Sequence, residues 1–574
     1  MSARGLFGAA SLLALTLAAC NSGAPAAGNN PMDGGAGATG VGGGAPTAGT
    51  TGAAGSGSTT APTATCATGE SGKPAFRMLR RLSEAEYNNT LVDALGVDTK
   101  SWQKIQLVGD IRQAGAYSTY SAALSVNEPW MAALVDSTFE RAQALVGQAA
   151  PSLLVAPCSA TAIDAACATA VVRNLAYRLF RRPVTEAEVA DYVGLFNQGL
   201  TTLKLSPNDA LAGTIAALMQ SPNTLYIQEL GQPDAAGFKL SGYELASVLS
   251  YGLTGTAPSK ALLDSVATGA LDTPAGITTA TQALITSPQG QAHMSTFFLQ
   301  WLSYDGAPYA AKDPAVFTLP NPIATAMVSE TQQFVDKTYQ SGGSLTDLLT
   351  SPSTYVNLSL AQFYGWPTAG LTDAEFKLQQ RPAGQGIGLL AQGGLLARLG
   401  TPNSSSPTLR GLFVLRQLVC GDVPPPPADI PVIPTPSGNV TTRERYETQH
   451  AVGSCGACHS HMDQIGFGLE NFDGVGKYRT AEAGKPIDAK GYVENLDHLT
   501  FDGPEDLAKK LAASAQVSQC LAAQMTSYVL GVSVKDGMCI APSSAYTAGA
   551  TPLSLANVLT QVMDPAHLQK RVAP

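Results

Sequence analysis

The chain has 574 residues, 45% hydrophobic and 13% charged, with a formal net charge of −9. That length holds several hydrophobic cores, and a mildly acidic balance spread over it argues against nucleic acid or anionic membrane surfaces as main partners. Past the N-terminus, no stretch reaches the roughly 18–20 apolar residues that a spanning helix needs.

The first element is a targeting segment. Arg4 makes the start positive, Leu6 to Leu17 form a short apolar run, and Leu17-Ala18-Ala19-Cys20 closes it with small residues. This is the pattern of a secretory signal over residues 1–20. It also resembles the lipobox of bacterial lipoproteins, whose cysteine is lipidated and becomes the first mature residue; a plain signal peptide with an incidental cysteine is the alternative. Cys20 is thus the expected lipidation site, and the lipid anchor makes the membrane a partner. Asn21, where an aspartate would retain a lipoprotein at the inner membrane, points to the outer membrane, facing periplasm or exterior. Residues 21–65 are almost entirely Gly, Ala, Thr, Ser, Pro and Asn. They bury too little apolar area to offset their ordering entropy and read as a tether.

The mature part reads as mainly α. Ser83-Glu84-Ala85-Glu86 has an N-cap and acidic first turn, and an amphipathic run follows through Tyr87, Leu91 and Leu95 to Gly96. A second helix pattern covers Val171 to Phe180. Arg181-Arg182-Pro183 breaks it, and Thr185-Glu186-Ala187-Glu188 caps the next. Asn208 to Met219, Gly242 to Tyr251, Thr279 to Ile285, His293 to Leu302 and Ile323 to Tyr339 repeat the style, while strand-like alternation is scarce. Trp301 and Trp366 read as core, with a ligand groove as the alternative. Pro424 to Pro427, with Pro431, Pro434 and Pro436, form a polyproline-like linker over 423–436.

Beyond the linker stands Cys455-Gly-Ala-Cys458-His459. Two thiols three positions apart lie on one face of a helical turn and can add to two vinyl groups on one porphyrin edge. The adjacent His459 then brings an imidazole nitrogen to the iron. The spacing reads as attachment of one covalent haem c, with His459 as proximal ligand. His450, His498 and Met525 are distal candidates, and an open distal site is a further option. Gly466 and Gly468 are expected to let the backbone pass a flat cofactor, Phe467 to wall it, and Lys477, Tyr478 and Arg479 to reach its propionates. A zinc site from Cys455 and Cys458 with His461 and His450, or a metal-free redox dithiol, competes with this reading.

Nine cysteines are present. With Cys20 assigned to lipid and Cys455 and Cys458 to haem, six remain, an even number that in an exported chain implies disulfides. Locality favours Cys158–Cys167 and Cys520–Cys539, leaving Cys66 to meet Cys420.

Around the haem motif the chain resembles a known family. Arg443-Glu444-Arg445 leading to His450, Cys-x-x-Cys-His-x-x-Met-Asp, Ile465-Gly466-Phe467, Leu469-Glu470-Asn471-Phe472-Asp473 and Gly476-x-Tyr478-Arg479 are similar to the haem module of a large cytochrome-c-like family. That family is abundant in planctomycetes and myxobacteria and is built of consecutive domains of unknown function. Earlier segments match in order: Arg80-Arg81-Leu82 with Tyr87-Asn88-Asn89, then Phe180-Arg181-Arg182-Pro183, then Tyr243-Glu244-Leu245 through Tyr251 to Tyr364-Gly365. Phe501-Asp502-Gly503 to Cys520 and Leu530-Gly531 match last. Val248, Gln464 and Val532 depart from the pattern. The resemblance implies helical modules over 66–150, 151–230 and 231–375, a haem module over 376–485 and a C-terminal helical module over 486–574. Within the pattern His450 recurs and Met525 does not.

The expected function is therefore extracytoplasmic electron transfer, or the haem part of an oxidoreductase, with a redox partner or substrate that the sequence does not name. A surface binding or assembly protein with a structural haem, and a peroxidase-like enzyme with an open distal site, are the alternatives.

Overall fold

A computed structural model of the chain describes residues 72–572 apart from 77, 98–102, 108–115, 148–157, 159–162, 236, 305–310, 424–437, 451–452 and 547–551. The segments expected as signal and tether, with Cys20, Cys66 and nearly all of the proline-rich stretch, lie outside the described residues.

Helix starts follow the capping chemistry in the sequence. Ser83 accepts from the Glu86 amide and Glu86 reaches back to the Ser83 amide, so the helix Glu84–Leu95 opens with a reciprocal capping box. Thr185 with Glu188 and Ser241 with Glu244 do the same for Glu186–Thr201 and Gly242–Thr254. Three helices begin earlier than their apolar periodicity suggests. In Pro207–Gln220, Pro274–Thr286 and Pro288–Trp301 a Ser or Thr cap precedes a proline, whose fixed φ suits a first turn. The break after Phe180 is held from afar. Arg181 takes a φ of 59° while its guanidinium donates to the carbonyls of Leu179, Asn223, Thr224 and Tyr226.

The fold is mainly α with a few short strands. The longest sheet has four strands in the order Ala75–Phe76, Lys570–Val572, Gly237–Lys239, Gln232–Asp234. The first pair is parallel and the others antiparallel. A second pair, Met78–Arg81 with Tyr226–Glu229, runs antiparallel. Arg571 joins the two, its buried Nε donating to Glu229 at 2.6 Å.

One apolar cluster draws buried residues from Ala75 through Leu568, so distant segments of the described chain share a core. Its centre is the helix Ala515–Leu530, which packs on Gly242–Thr254, Val534–Ile540 and Leu555–Val562. Trp301 is wholly buried in this cluster, its indole N–H donating to the Gln417 carbonyl. Trp366 is buried as well and donates to Gln385. Both are core residues.

Cys158 bonds Cys167, as locality suggests. The other two expected pairings are overturned, because Cys420 bonds Cys520 across 100 residues. Locality fails because of how two helices pair. Met538 joins Cys420 and Cys520 in one small apolar cluster, so Cys539, about 100° further round its helix, faces elsewhere. Cys539 is disulfide-bonded in its own right, and its carbonyl accepts from the Lys73 amide at 3.1 Å. Lys73 follows Cys66 closely in sequence. Non-reducing peptide mapping is therefore expected to recover Cys539 joined to Cys66; a Cys66 peptide that alkylates without reductant would refute the pairing.

Candidate functional site

Two glycines bring the site together. The helix carrying the Cys455–His459 motif, Gly453–Phe467, crosses the helix Pro407–Phe413. A Cβ on Gly411 would stand 1.8 Å from the Met462 carbonyl oxygen, and one on Gly466 would stand 1.9 Å from that of Pro407. Only glycine allows backbones this close. Gly466 thus serves a helix crossing, and Gly468 faces the Phe501 ring; the expectation that these glycines make room for a flat cofactor is replaced by packing. The crossing lays Thr408, the residue after Pro407, against Asp463.

Asp463 is the hub. It is buried and lies one turn beyond His459 on the same helix face, the i, i+4 relation. Its Oδ2 meets His450 Nδ1 at 2.6 Å, and its two oxygens lie 3.3 and 3.2 Å from His459 Nδ1. The Thr408 hydroxyl donates to Oδ1 at 2.5 Å. Burial works to raise this carboxyl, but the donors from His450, His459 and Thr408 outweigh it and hold it below the usual carboxylate range. His450 ends the helix Thr442–His450, where Tyr446 packs edge-on to its ring. That helix lies alongside Gly453–Phe467, so His450 arrives beside His459, with ring centroids 3.5 Å apart. A metal held between two imidazoles at about 2.0–2.1 Å from each nitrogen would keep those nitrogens about 4 Å apart and the ring centres farther. As they stand, the two rings flank one carboxylate and do not face each other across a common iron.

Both imidazoles turn Nδ1 to Asp463, which leaves Nε2 of His459 on the far edge of its ring. His459 is partly exposed, and Cys458 beside it keeps a free thiol. Cys455 lies in the first turn of the same helix, its side chain outside the described residues. A thiol and an imidazole nitrogen on adjacent positions, the imidazole braced from behind by a carboxylate, is a donor set that fits c-type haem attachment.

The other expected site residues are placed as follows. Phe467 is buried with the Arg443 guanidinium over its ring at 4.5 Å. Arg479 pairs with Glu470 at 2.9 Å and Glu482 at 3.0 Å, so its contacts are protein carboxylates. Met525 is wholly buried in the large core on the helix Ala515–Leu530. His498 is exposed, stacked on Tyr492 and bonded to Glu494. His461 is buried on the helix Gly453–Phe467.

Two residues were given no role by the sequence reading, although Asp463 ends the quoted Cys-x-x-Cys-His-x-x-Met-Asp pattern. Asp463 had a signal, its position four residues after His459 in a helix. Thr408 had none, because only the glycine crossing brings it near.

Three family profiles match the chain in succession. Residues 167–229 match PSD5, a protein of unknown function (DUF1595). Residues 240–366 match PSD4, likewise of unknown function (DUF1592). Residues 387–482 match PSCyt3, of unknown function (DUF1588). No curated protein matches the chain, and neither does any solved structure. The DUF1588 segment contains the glycine crossing, the Cys455–His459 motif and all four members of the Thr408, His450, His459 and Asp463 cluster.

Proposed function

We propose that the chain is an exported, membrane-tethered c-type cytochrome-like protein carrying one covalent haem at Cys455, Cys458 and His459. It works in extracytoplasmic electron transfer or as the haem part of an oxidoreductase. The observation that carries this reading is His459, braced through Nδ1 by the buried Asp463 and adjacent to the free thiol of Cys458. The name of the matching family profile, PSCyt3, is in keeping with it. Haem, when bound, supplies one-electron chemistry at iron. The chain's own part is to attach it, to fix the imidazole plane through Asp463 and to keep that carboxylate from bulk water. Met525 and His450 are the candidates for a second iron ligand, and a site with none is the alternative.

Protein matured in a host with c-type haem machinery is expected to keep its haem through denaturation and gel electrophoresis. Its intact mass should exceed that of the processed chain by one haem. The Cys455→Ser/Cys458→Ser double variant should lose both signals. Stoichiometric zinc and no haem in the wild type would refute the assignment.

A second reading has one specific observation behind it. Ligand atoms of His450, His459 and Asp463 all lie within 4.8 Å of one another, a donor set that a divalent transition metal accepts. Metal analysis of the same preparation separates the two readings.

Membrane attachment has its own test. Cys20→Ser is expected to move the protein from the membrane fraction to the soluble fraction or to stall processing. Unchanged partitioning would count against a lipid anchor.

A further inference from the structure

We infer that Asp463 is a positioning residue whose hydrogen-bonding capacity is divided between His459 and two competitors, His450 and Thr408, and that this division sets the reduction potential of the haem. The inference rests on the haem reading above and adds to it which side chains tune the site.

The distances show an unequal division. Thr408 holds the carboxylate at 2.5 Å, within the range of strong O–H···O⁻ bonds, and His450 at 2.6 Å, closer than the usual charge-assisted N–H···O⁻ bond. His459 reaches both oxygens only at 3.2–3.3 Å. With Nε2 bound to iron, Nδ1 of His459 carries the proton and donates it. The more of the carboxylate's charge that proton feels, the more anionic the imidazole and the better it stabilises ferric iron. His450 and Thr408 draw that charge away. They sit on two other helices: Thr408 is placed by the crossing at Gly411 and Gly466, and His450 by the helix Thr442–His450 lying alongside Gly453–Phe467. Asp463 is buried, so water does not level the competition.

A purely structural cluster and a dividing one respond differently to substitution. Asp463→Asn keeps shape and removes charge, so the potential should rise. Thr408→Val and His450→Leu each remove a competitor, so the carboxylate should close on His459 and the potential should fall. The signs are opposite although all three changes break the same cluster. The experiment is potentiometric titration of the full-length holoprotein, followed by its haem absorption, for the wild type and each variant. Asp463→Asn is expected to change the oxidised-to-reduced ratio at a fixed poise by about tenfold, which is about 59 mV for one electron. Thr408→Val, the most conservative of the three, should shift it the other way by a smaller factor. Shifts of one sign in all variants, or no shift in Asp463→Asn, would overturn the inference and leave the haem reading standing. A wild type without covalent haem removes the haem reading and the inference with it.

Discussion

Replacing Arg410 with leucine is expected to lower the free energy of unfolding by about 3–5 kcal/mol, the scale of breaking a buried ion pair from one side. Arg410 is wholly buried. It donates to Glu470 at 3.1 Å and to the carbonyls of Leu469, Phe472 and Asp473 at 2.8, 2.7 and 2.6 Å. Leucine fills part of the space and satisfies none of these acceptors. Glu470, itself buried, would keep Arg479 and Ser405 as partners. Burial already pushes the Glu470 carboxyl above its usual value, against the pull of Arg410 and Arg479. Without Arg410 it rises further. A carboxyl raised in the folded state binds its proton more tightly there than in the unfolded chain, so it favours folding at low pH and loses that advantage as pH rises. The deficit of Arg410→Leu should therefore widen from acid to neutral pH. Urea unfolding at several pH values measures both effects. The double variant Arg410→Leu/Glu470→Gln should recover part of the loss, and a single-variant loss below about 1 kcal/mol would show that the network is not what holds this turn.

Gly466→Ala carries the second large effect. Its Cβ would meet the Pro407 carbonyl oxygen at 1.9 Å, and backbone on the facing side cannot rotate away as a side-chain tip does. The two helices must part, at a cost of about 1–3 kcal/mol or more for forced overpacking. The same movement carries Thr408 off Asp463, so yield of haem-loaded protein should fall along with melting temperature. Gly194→Ala is the control. It lies inside the helix Glu186–Thr201 with nothing within 4 Å of the added carbon, and it should be neutral or stabilising by up to about 1 kcal/mol. Equal behaviour of the two variants would mean that the crossing has slack that the close contact does not suggest.

Much of this molecule was legible before any coordinates. Local rules sufficed wherever the cause was local. Ser83 with Glu86 and Thr185 with Glu188 each place a donor and acceptor within one helical turn, so the sequence alone shows where those helices begin. The mainly α character followed from such caps and from apolar periodicity. The Cys455, Cys458 and His459 motif also read as one helical face, and all three lie on the helix Gly453–Phe467. Arg479 was expected at the haem propionates, and in the structure it pairs with Glu470 and Glu482.

What the sequence could not determine depended on contacts between distant segments. Cys420 and Cys520 are 100 residues apart, and nothing in their neighbourhoods prefers that pairing to the nearer one with Cys539; the packing of three segments into one small cluster decides it. Arg571 and Glu229 find each other only because the last strand returns to the first. The same holds at the site. The Cys455–His459 motif and the helix that presents it were legible in the sequence, because both are consecutive residues under local geometry. Tertiary structure alone decided that His450 stands beside His459, through the packing of Thr442–His450 on Gly453–Phe467, and that Thr408 caps the opposite oxygen of Asp463, through the crossing at Gly411 and Gly466, because helix packing is a property of two surfaces in contact and is written in neither surface alone.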